Sequence, residues 1–302
     1  MLNLPAGRFA AVALLGLFWG LNWPAVKIAL AEVPPVPLRA IGFSAGALIL
    51  FALAVLRRRG LLPRRGEILP ILMAGMLNIL AFNLFTAFGQ LNMATSRAAI
   101  IAFTMPAWAA LLAWPLLGER PGLRQAVGLA CGMAGLAVLL GVDALRGAAL
   151  SPLGVGFMLG AAVSWALGTV VMKRTTWTSS MIVVTGWQYA VAALPMIVAA
   201  ALIGGLPSPA GLSAPVLGAL AYHIVFSIGL AQTMWFLIVR RLSVGQATLG
   251  TLLTPIVGVS GSVLLLGDAL TWNMLAALAL VLAAVACVMG PVPKRAKKPA
   301  VA

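Results

Sequence analysis

Trp19 stands eight residues before Lys27, and Trp165 stands eight residues before Lys173. Each tryptophan falls about ten residues into an apolar run, near half of the ~30 Å hydrocarbon core at 1.5 Å per residue. An indole at that depth can act as a flat wall for a bound molecule, whereas tryptophans usually sit at the membrane interface. Neutral polar side chains recur at similar depth: Asn22, Asn78, Asn83, Ser164, Gln188, Ser227 and Gln232. Amides and hydroxyls are costly in hydrocarbon and face either a partner or a wet cavity. Singly, each reads as glue between helices. As a set with Trp19, Trp165 and Trp108, they are the candidate lining of a small-molecule site. Pro106 and Pro255 lie inside apolar runs, where proline removes a helix hydrogen bond. They are candidate kinks around which helices rock, and a fixed bend is the plainer alternative.

Other chemistry is missing. The five acids, Glu32, Glu67, Glu119, Asp143 and Asp268, all fall in loops or at helix ends. No carboxylate relay for protons or coupling ions is therefore expected at membrane depth. His223, beside Tyr222, is the single histidine. It is of a type that titrates near neutral pH, although an interfacial hydrogen-bonding role is the plainer reading. Cys131 and Cys287 lie in apolar runs without a CxxC or Cys/His cluster, so neither disulfide nor metal is indicated. With no Asp pair, Ser/His arrangement or metal cluster, an enzyme is not expected, and no cofactor is implied. Arg39 opens an apolar run. It is a possible receptor for a carboxylate at the outer mouth, or an arginine that snorkels to the interface.

The elements that carry these residues follow from composition. The 302 residues are 63% hydrophobic and 8% charged, with a mean hydropathy of +1.10. A soluble domain carries about 25% charged residues, so the solvent over most of this chain is lipid. Ten apolar segments of helical length run near 9–31, 36–56, 68–91, 95–117, 122–142, 153–173, 180–203, 214–239, 245–266 and 271–290. The Ala29-Leu30-Ala31 stretch weakly resembles a cleavage site. The first segment recurs later in the chain, so it is read as an uncleaved helix. The net charge of +15 does not form a nucleic-acid patch. With the N-terminus in the cytoplasm, all Lys and Arg except Lys27, Arg39, Arg97 and Arg146 fall on the inner side, which places both termini there.

Residues 94–120 and 243–269 align without a gap at a shift of 149, matching Pro106 to Pro255, Gly118 to Gly267 and Glu119 to Asp268. The Trp/Lys pairs match at a shift of 146, and Asn83 matches Gln232 at 149. The chain is thus expected to be all-α and membrane-embedded, with a first five-helix repeat over 1–147, a second over 148–291 and a basic tail over 292–302. Five is odd, so the second repeat enters the membrane inverted. That arrangement points to a transporter with its site near the midplane.

The segment SRAAIIAFTMPAWAALLAWPLLGER, the glycines Gly128, Gly132 and Gly135 after it, and FWGLNWPAVKIAL near the start resemble the EamA-type repeat of the drug/metabolite transporter superfamily. The resemblance covers nearly all of residues 8–290. It implies a central cavity lined by helices one to four and six to nine, with helices five and ten peripheral. It also implies metabolite transport at a bacterial inner membrane, with amino-acid exporters of the YddG type for comparison. Small multidrug-resistance relatives carry a glutamate where Trp19 stands, which argues against their cation/proton exchange here. The expected substrate is a neutral amino acid or similar small zwitterion, moved by alternating access and exported. Drugs, organic cations and other metabolites are the alternative cargo.

Overall fold

About 20 helical residues cross a ~30 Å hydrocarbon core. The computed structural model describes residues 5–119, 122–145, 151–235 and 244–289, and no strand occurs among them. The helices are α1 (Pro5–Ala29), α2 (Pro35–Leu56), α3 (from Ile68 through Asn92), α4 (Thr95–Ala102 and Met105–Leu117) and α5 (Leu123–Leu145). They continue as α6 (Pro152–Arg174), α7 (Met181–Leu202), α8 (Ala214–Trp235), α9 (Val244–Leu266) and α10 (Trp272–Met289). The first eight are each long and apolar enough to cross a membrane, and α9 and α10 contribute the shorter apolar stretches Leu252–Leu266 and Trp272–Cys287. Leu56, Leu202 and Leu264 are more than three-quarters exposed. Such an outer surface is stable against lipid and not against water.

Helix pairing carries the internal symmetry. Helix α1 packs on α9 and α8, α6 packs on α4 and α3, α2 packs on α7, and α5 packs on α10. Replacing each helix by its counterpart five places away returns the same set of pairs. Helices α5 and α10 pair with each other and otherwise pack mainly on α4 and α9, as expected of peripheral elements; Asn273 of α10 is buried in their seam, its amide 3.5 Å from Leu139 O. Close approach depends on glycine where the helices cross: a Cβ on Gly20 of α1 would lie 2.5 Å from the Val257 Cβ of α9. Gly132 and Gly135 of α5 face α4 and α10, in keeping with a packing role.

Two departures from plain α-helix matter for the site. Helices α3 and α8 both loosen into π-helix near their middles, over Gly75–Ala81 and His223–Ala231. The two segments superimpose at the shift that matches Asn83 to Gln232. Such windings are uncommon and concentrate at functional sites. Side chains add to the bonding there: the Asn83 Nδ2 donates to Ile79 O (2.9 Å) and the Thr233 hydroxyl donates to Gly229 O (2.7 Å), each a carbonyl that a backbone N–H also bonds. The second departure corrects the symmetric-kink expectation. Helix α4 breaks at Phe103–Thr104, and Pro106 sits in the first turn of the restarted helix, whereas Pro255 lies inside an unbroken α9. Proline is tolerated in a first turn because its missing N–H would have no partner there. The Thr104 hydroxyl covers the Ile101 carbonyl at 2.6 Å and helps hold the break.

Candidate functional site

The face carrying the α2–α3 loop, with Arg57, Arg58, Arg59, Arg64 and Arg65, is called the basic face. Near the opposite face, polar side chains from α1, α2, α3 and α8 meet in the interior. Arg39, in the second turn of α2, is 1% exposed. Its Nε donates to Asn83 O (2.9 Å), and one terminal nitrogen reaches the Thr86 hydroxyl at a long 3.5 Å. Its other terminal nitrogen is buried without a partner. The Tyr189 phenol and the His223 ring lie within electrostatic reach of the guanidinium. No acidic side chain bonds it among the described residues. An interfacial, snorkelling Arg39 is therefore corrected: the chain buries this charge. Burying an ion costs several kcal/mol unless countercharge and hydrogen bonds compensate, and here backbone and hydroxyl partners provide only part.

His223 is likewise buried, at 3% exposure, not interfacial. Its Nδ1 is 2.7 Å from Asn22 Oδ1, and its Nε2 has no partner and faces Gly42. A Cβ at Gly42 would crowd that nitrogen at 3.0 Å, so the small residue on α2 admits the ring of α8. Lys27 of α1 donates to the Gln90 carbonyl of α3. The cluster thus ties α1 to α8, α1 to α3 and α2 to α3.

Both central tryptophans are half-buried and pack on aromatic rings of neighbouring helices. Trp19 packs on Trp235 of α8 with ring centroids 5.7 Å apart, and Trp165 packs on Phe82 of α3 at 4.8 Å. Asn78, in the π segment of α3, packs against Gly168 of α6, where any Cβ would overlap its amide. Its Oδ1 is buried and unpartnered. Gln188 is buried with its amide 3.1 Å from the Met172 sulfur, and Gln232 is half-buried in α8. Two candidates serve local structure: the Ser164 hydroxyl donates to Ala161 O (2.9 Å) on its own helix, and the Trp108 Nε1 donates to the Thr104 hydroxyl (3.2 Å) at the α4 break. The interior therefore gathers Trp19, Asn22, Asn78, Asn83, Trp165 and Gln188 into contacts between helices.

A cavity of about 790 Å³ opens at the basic face between the end of α2, the start of α7 and the end of α8. Thr233 and Trp235 line it, and Trp235 also packs on Trp19. Sequence reasoning missed Trp235, Thr86 and Gln90. Trp235 falls opposite Thr86 at the shift of 149, and unlike residue types at matched positions give no repeat signal.

Carboxylates hold the loops at both faces. Glu67, just before the helix of α3, accepts bonds from the Thr178 N–H (2.6 Å), the Thr178 hydroxyl (2.7 Å) and the Ser179 N–H (3.1 Å). At the opposite face Glu32 accepts the N–H of Ser213, which caps α8, at 2.8 Å. At the shift of 146, Glu32 matches Thr178 and Glu67 matches Ser213. The two latches therefore use the same pair of positions with the carboxylate exchanged between them. Bonds from the Ser213 side chain and N–H hold the Glu32 carboxyl below its ordinary pKa. Lys173 pairs with Glu119 at the basic face, and Asp268 accepts the Ser96 N–H at 2.8 Å at the other.

Comparison with known proteins agrees with this architecture. The profile of the EamA-like transporter family matches the chain twice, over residues 9–141 and 152–290. A Bacillus subtilis protein named uncharacterized transporter YvbV is 31% identical over 303 residues, covering 100% of this chain and 97% of its own. The Escherichia coli protein named uncharacterized inner membrane transporter YedA is 27% identical, over 83% of this chain and 80% of its own. A second Escherichia coli protein, named "Probable amino-acid metabolite efflux pump", is 26% identical over 85% of this chain and 86% of its own. A solved crystal structure superimposes with a TM-score of 0.63 at 24% identity, over 92% of this chain and 96% of that one, a likeness of fold.

Proposed function

The chain belongs to the EamA-like transporter family, and from that premise we propose that it exports small carboxylate-bearing zwitterions, neutral amino acids foremost, by alternating access. The observation that carries the substrate class is Arg39: a buried guanidinium with an unpartnered nitrogen and no bonded acid among the described residues. A substrate carboxylate supplies the missing countercharge in a geometry that guanidinium favours. The ammonium end needs acceptors, and the unpartnered Asn78 Oδ1 offers one. Trp19 and Trp165, with Trp235 and Phe82 behind them, are walls for an apolar side chain. Asn22, Asn83, Gln188 and Gln232 complete the polar lining in this reading, Ser164 and Trp108 support it, and Pro106 and Pro255 border the moving segments. A lipophilic cation would require an acid at depth, and the described acids lie at loops and helix ends.

The repeats over 1–147 and 148–291 are the two moving bodies in this reading, and 292–302 is a cytoplasmic tail. The basic face is cytoplasmic by the distribution of Lys and Arg, and the membrane is a bacterial inner membrane. The cavity beside Trp235 is then the inward mouth, while Arg39, Asn83 and Thr86 close the outward side. The name of the distant efflux-pump relative is in keeping with amino-acid export.

The test is uptake of labelled methionine by proteoliposomes at symmetric pH, with competition by other neutral amino acids. Uptake above empty liposomes, reduced in Trp19→Ala and Trp165→Ala protein of normal yield and monodispersity, is expected. Transport of an organic cation or a sugar phosphate with no uptake of any amino acid would overturn the substrate class and leave the family intact.

A further inference from the structure

The basic-face cavity has a chemistry that transport of a zwitterion does not use. Arg57, Arg59 and Arg64 all line it, together with the hydroxyl residues Ser179 and Ser180. No acidic residue lines it among the described residues. The nearby carboxylate of Glu67 is turned to the Thr178 and Ser179 N–H groups. Helix α7 begins at this wall, and Ser180 before it makes no side-chain cap, so the first-turn N–H groups keep their partial positive charge toward the cavity.

The walls are held in place from three sides. Helix α2 ends with the Arg59 N–H bonded to Ala54 O at 2.9 Å, which requires Arg58 to adopt a left-handed φ of 50°. That conformation is disfavoured for a residue with a side chain, and here it turns the chain so that Arg57 and Arg59 both border the cavity. The Trp187 indole donates to Leu61 O at 2.7 Å, pinning the α2–α3 loop to α7. Glu67 pins the α6–α7 loop to the start of α3. At the rim, Leu56 and Leu62 are more than three-quarters exposed beside the arginines, and Leu53 and Ile182 continue the apolar surface inside. Three cations, free helix N–H donors and an adjoining apolar slope match a phosphodiester with its alkyl chains better than a soluble ion. Arginine clusters just outside the apolar end of a membrane helix are the usual readers of anionic headgroups.

We propose that this cavity is a binding site for the phosphate group of an anionic phospholipid, with Arg57, Arg59 and Arg64 as its ligands. The lipid headgroup sits between α2, α7 and α8. The site stands on geometry and charge at this face and does not depend on which substrate is carried.

The probe is the full chain in vesicles or nanodiscs of equal phosphatidylglycerol and phosphatidylcholine, symmetric across both leaflets so that orientation does not bear on the result. Native mass spectrometry of lipid retained by the released protein is expected to show phosphatidylglycerol enriched about fivefold or more over the bulk mixture. The variant with Arg57→Gln, Arg59→Gln and Arg64→Gln should return that ratio to bulk, while a charge-matched variant with Lys294→Gln, Arg295→Gln and Lys297→Gln keeps it. Should the triple variant fail to fold, Arg59→Gln alone, with the loss of enrichment in wild type at high salt, reads the same contacts. Equal retention of both lipids, or equal loss in pocket and tail variants, overturns the site. If millimolar inorganic phosphate in pure phosphatidylcholine raises Tm as much as phosphatidylglycerol does, the occupant is a soluble anion and the lipid assignment is overturned.

Discussion

Helices α2 and α7 match end to end at a shift of 146, which places Thr185 opposite Arg39, while Asn83 and Gln232, and Thr86 and Trp235, match at 149. At one face Arg39 reaches across to α3 through Asn83 O and Thr86, and that wedge is shut. At the basic face Gln188 turns to the Met172 sulfur of α6, and Trp235 turns to Trp19. There the ends of α7 and α8 stand apart around a cavity of about 790 Å³. Nearly equivalent backbones thus carry a closed wedge and an open one. The difference lies in side-chain reach and charge: guanidinium spans the gap and gains charge-assisted hydrogen bonds, whereas the matched Thr185 is short and neutral. An inverted-repeat carrier with identical wedges would have no preferred state, and these side chains supply one.

The largest effect is expected from Arg39→Gln. Bonds to a charged group contribute about 1.5–3 kcal/mol, and each 1.4 kcal/mol is a factor of ten. A cysteine at Thr86, with Cys131 and Cys287 replaced by serine, should therefore be labelled about tenfold or more faster by an impermeant maleimide in the Arg39→Gln background. Unchanged labelling would mean that the wedge is shut by helix packing and that the comparison with Thr185 is empty.

The converse substitution sharpens the same contrast. Thr185→Arg places a guanidinium at the position matched to Arg39 and should pull α7 and α8 together. Labelling of a cysteine at Thr233 should fall several-fold, by the same hydrogen-bond magnitude reduced for an unrefined site. Faster labelling would indicate that the arginine instead turns out toward the basic face.

The two latches predict a smaller difference. Glu67 accepts three hydrogen bonds from the α6–α7 loop, so Glu67→Gln should cost about 1–2 kcal/mol and lower Tm by roughly 2–8 °C. Glu32→Gln at neutral pH should shift Tm by less than Glu67→Gln, since Glu32 is solvated and its bonds compete with water. Equal shifts would remove the distinction between the faces.

The smallest expected effect is the pH dependence of the Glu32 latch. Its folded pKa lies below the ordinary value of 4.5 because Ser213 donates to the ionised form. A depressed carboxyl contributes stability above its unfolded pKa and loses it as pH falls through the folded one. The Tm gap between wild type and Glu32→Gln should thus be constant from neutral pH to about 5 and shrink below about 4. A gap that grows on acidification would refute the assignment of that bond.

Length, apolarity and spacing alone determine much of this protein. Segments of about 20 apolar residues leave the backbone no option but helix in lipid, and the matched Trp19/Trp165 and Pro106/Pro255 pairs point to two related halves because repeats keep residue types at equivalent depths. The acids could be assigned to helix ends for the same reason: a carboxylate at depth is costly. What required tertiary structure is partnership. Arg39 and His223 read as interfacial because position along a helix reports depth and not which neighbours fold over a side chain; Gly42, Thr86 and Asn22 arrive from elsewhere in the chain to enclose them. Pro106 and Pro255 share a register, yet the helix breaks in one half alone, where the Thr104 hydroxyl and N–H both bond the Ile101 carbonyl. The closed and open wedges follow likewise from contacts between residues more than forty positions apart, such as Arg39 with Asn83, which no local pattern encodes.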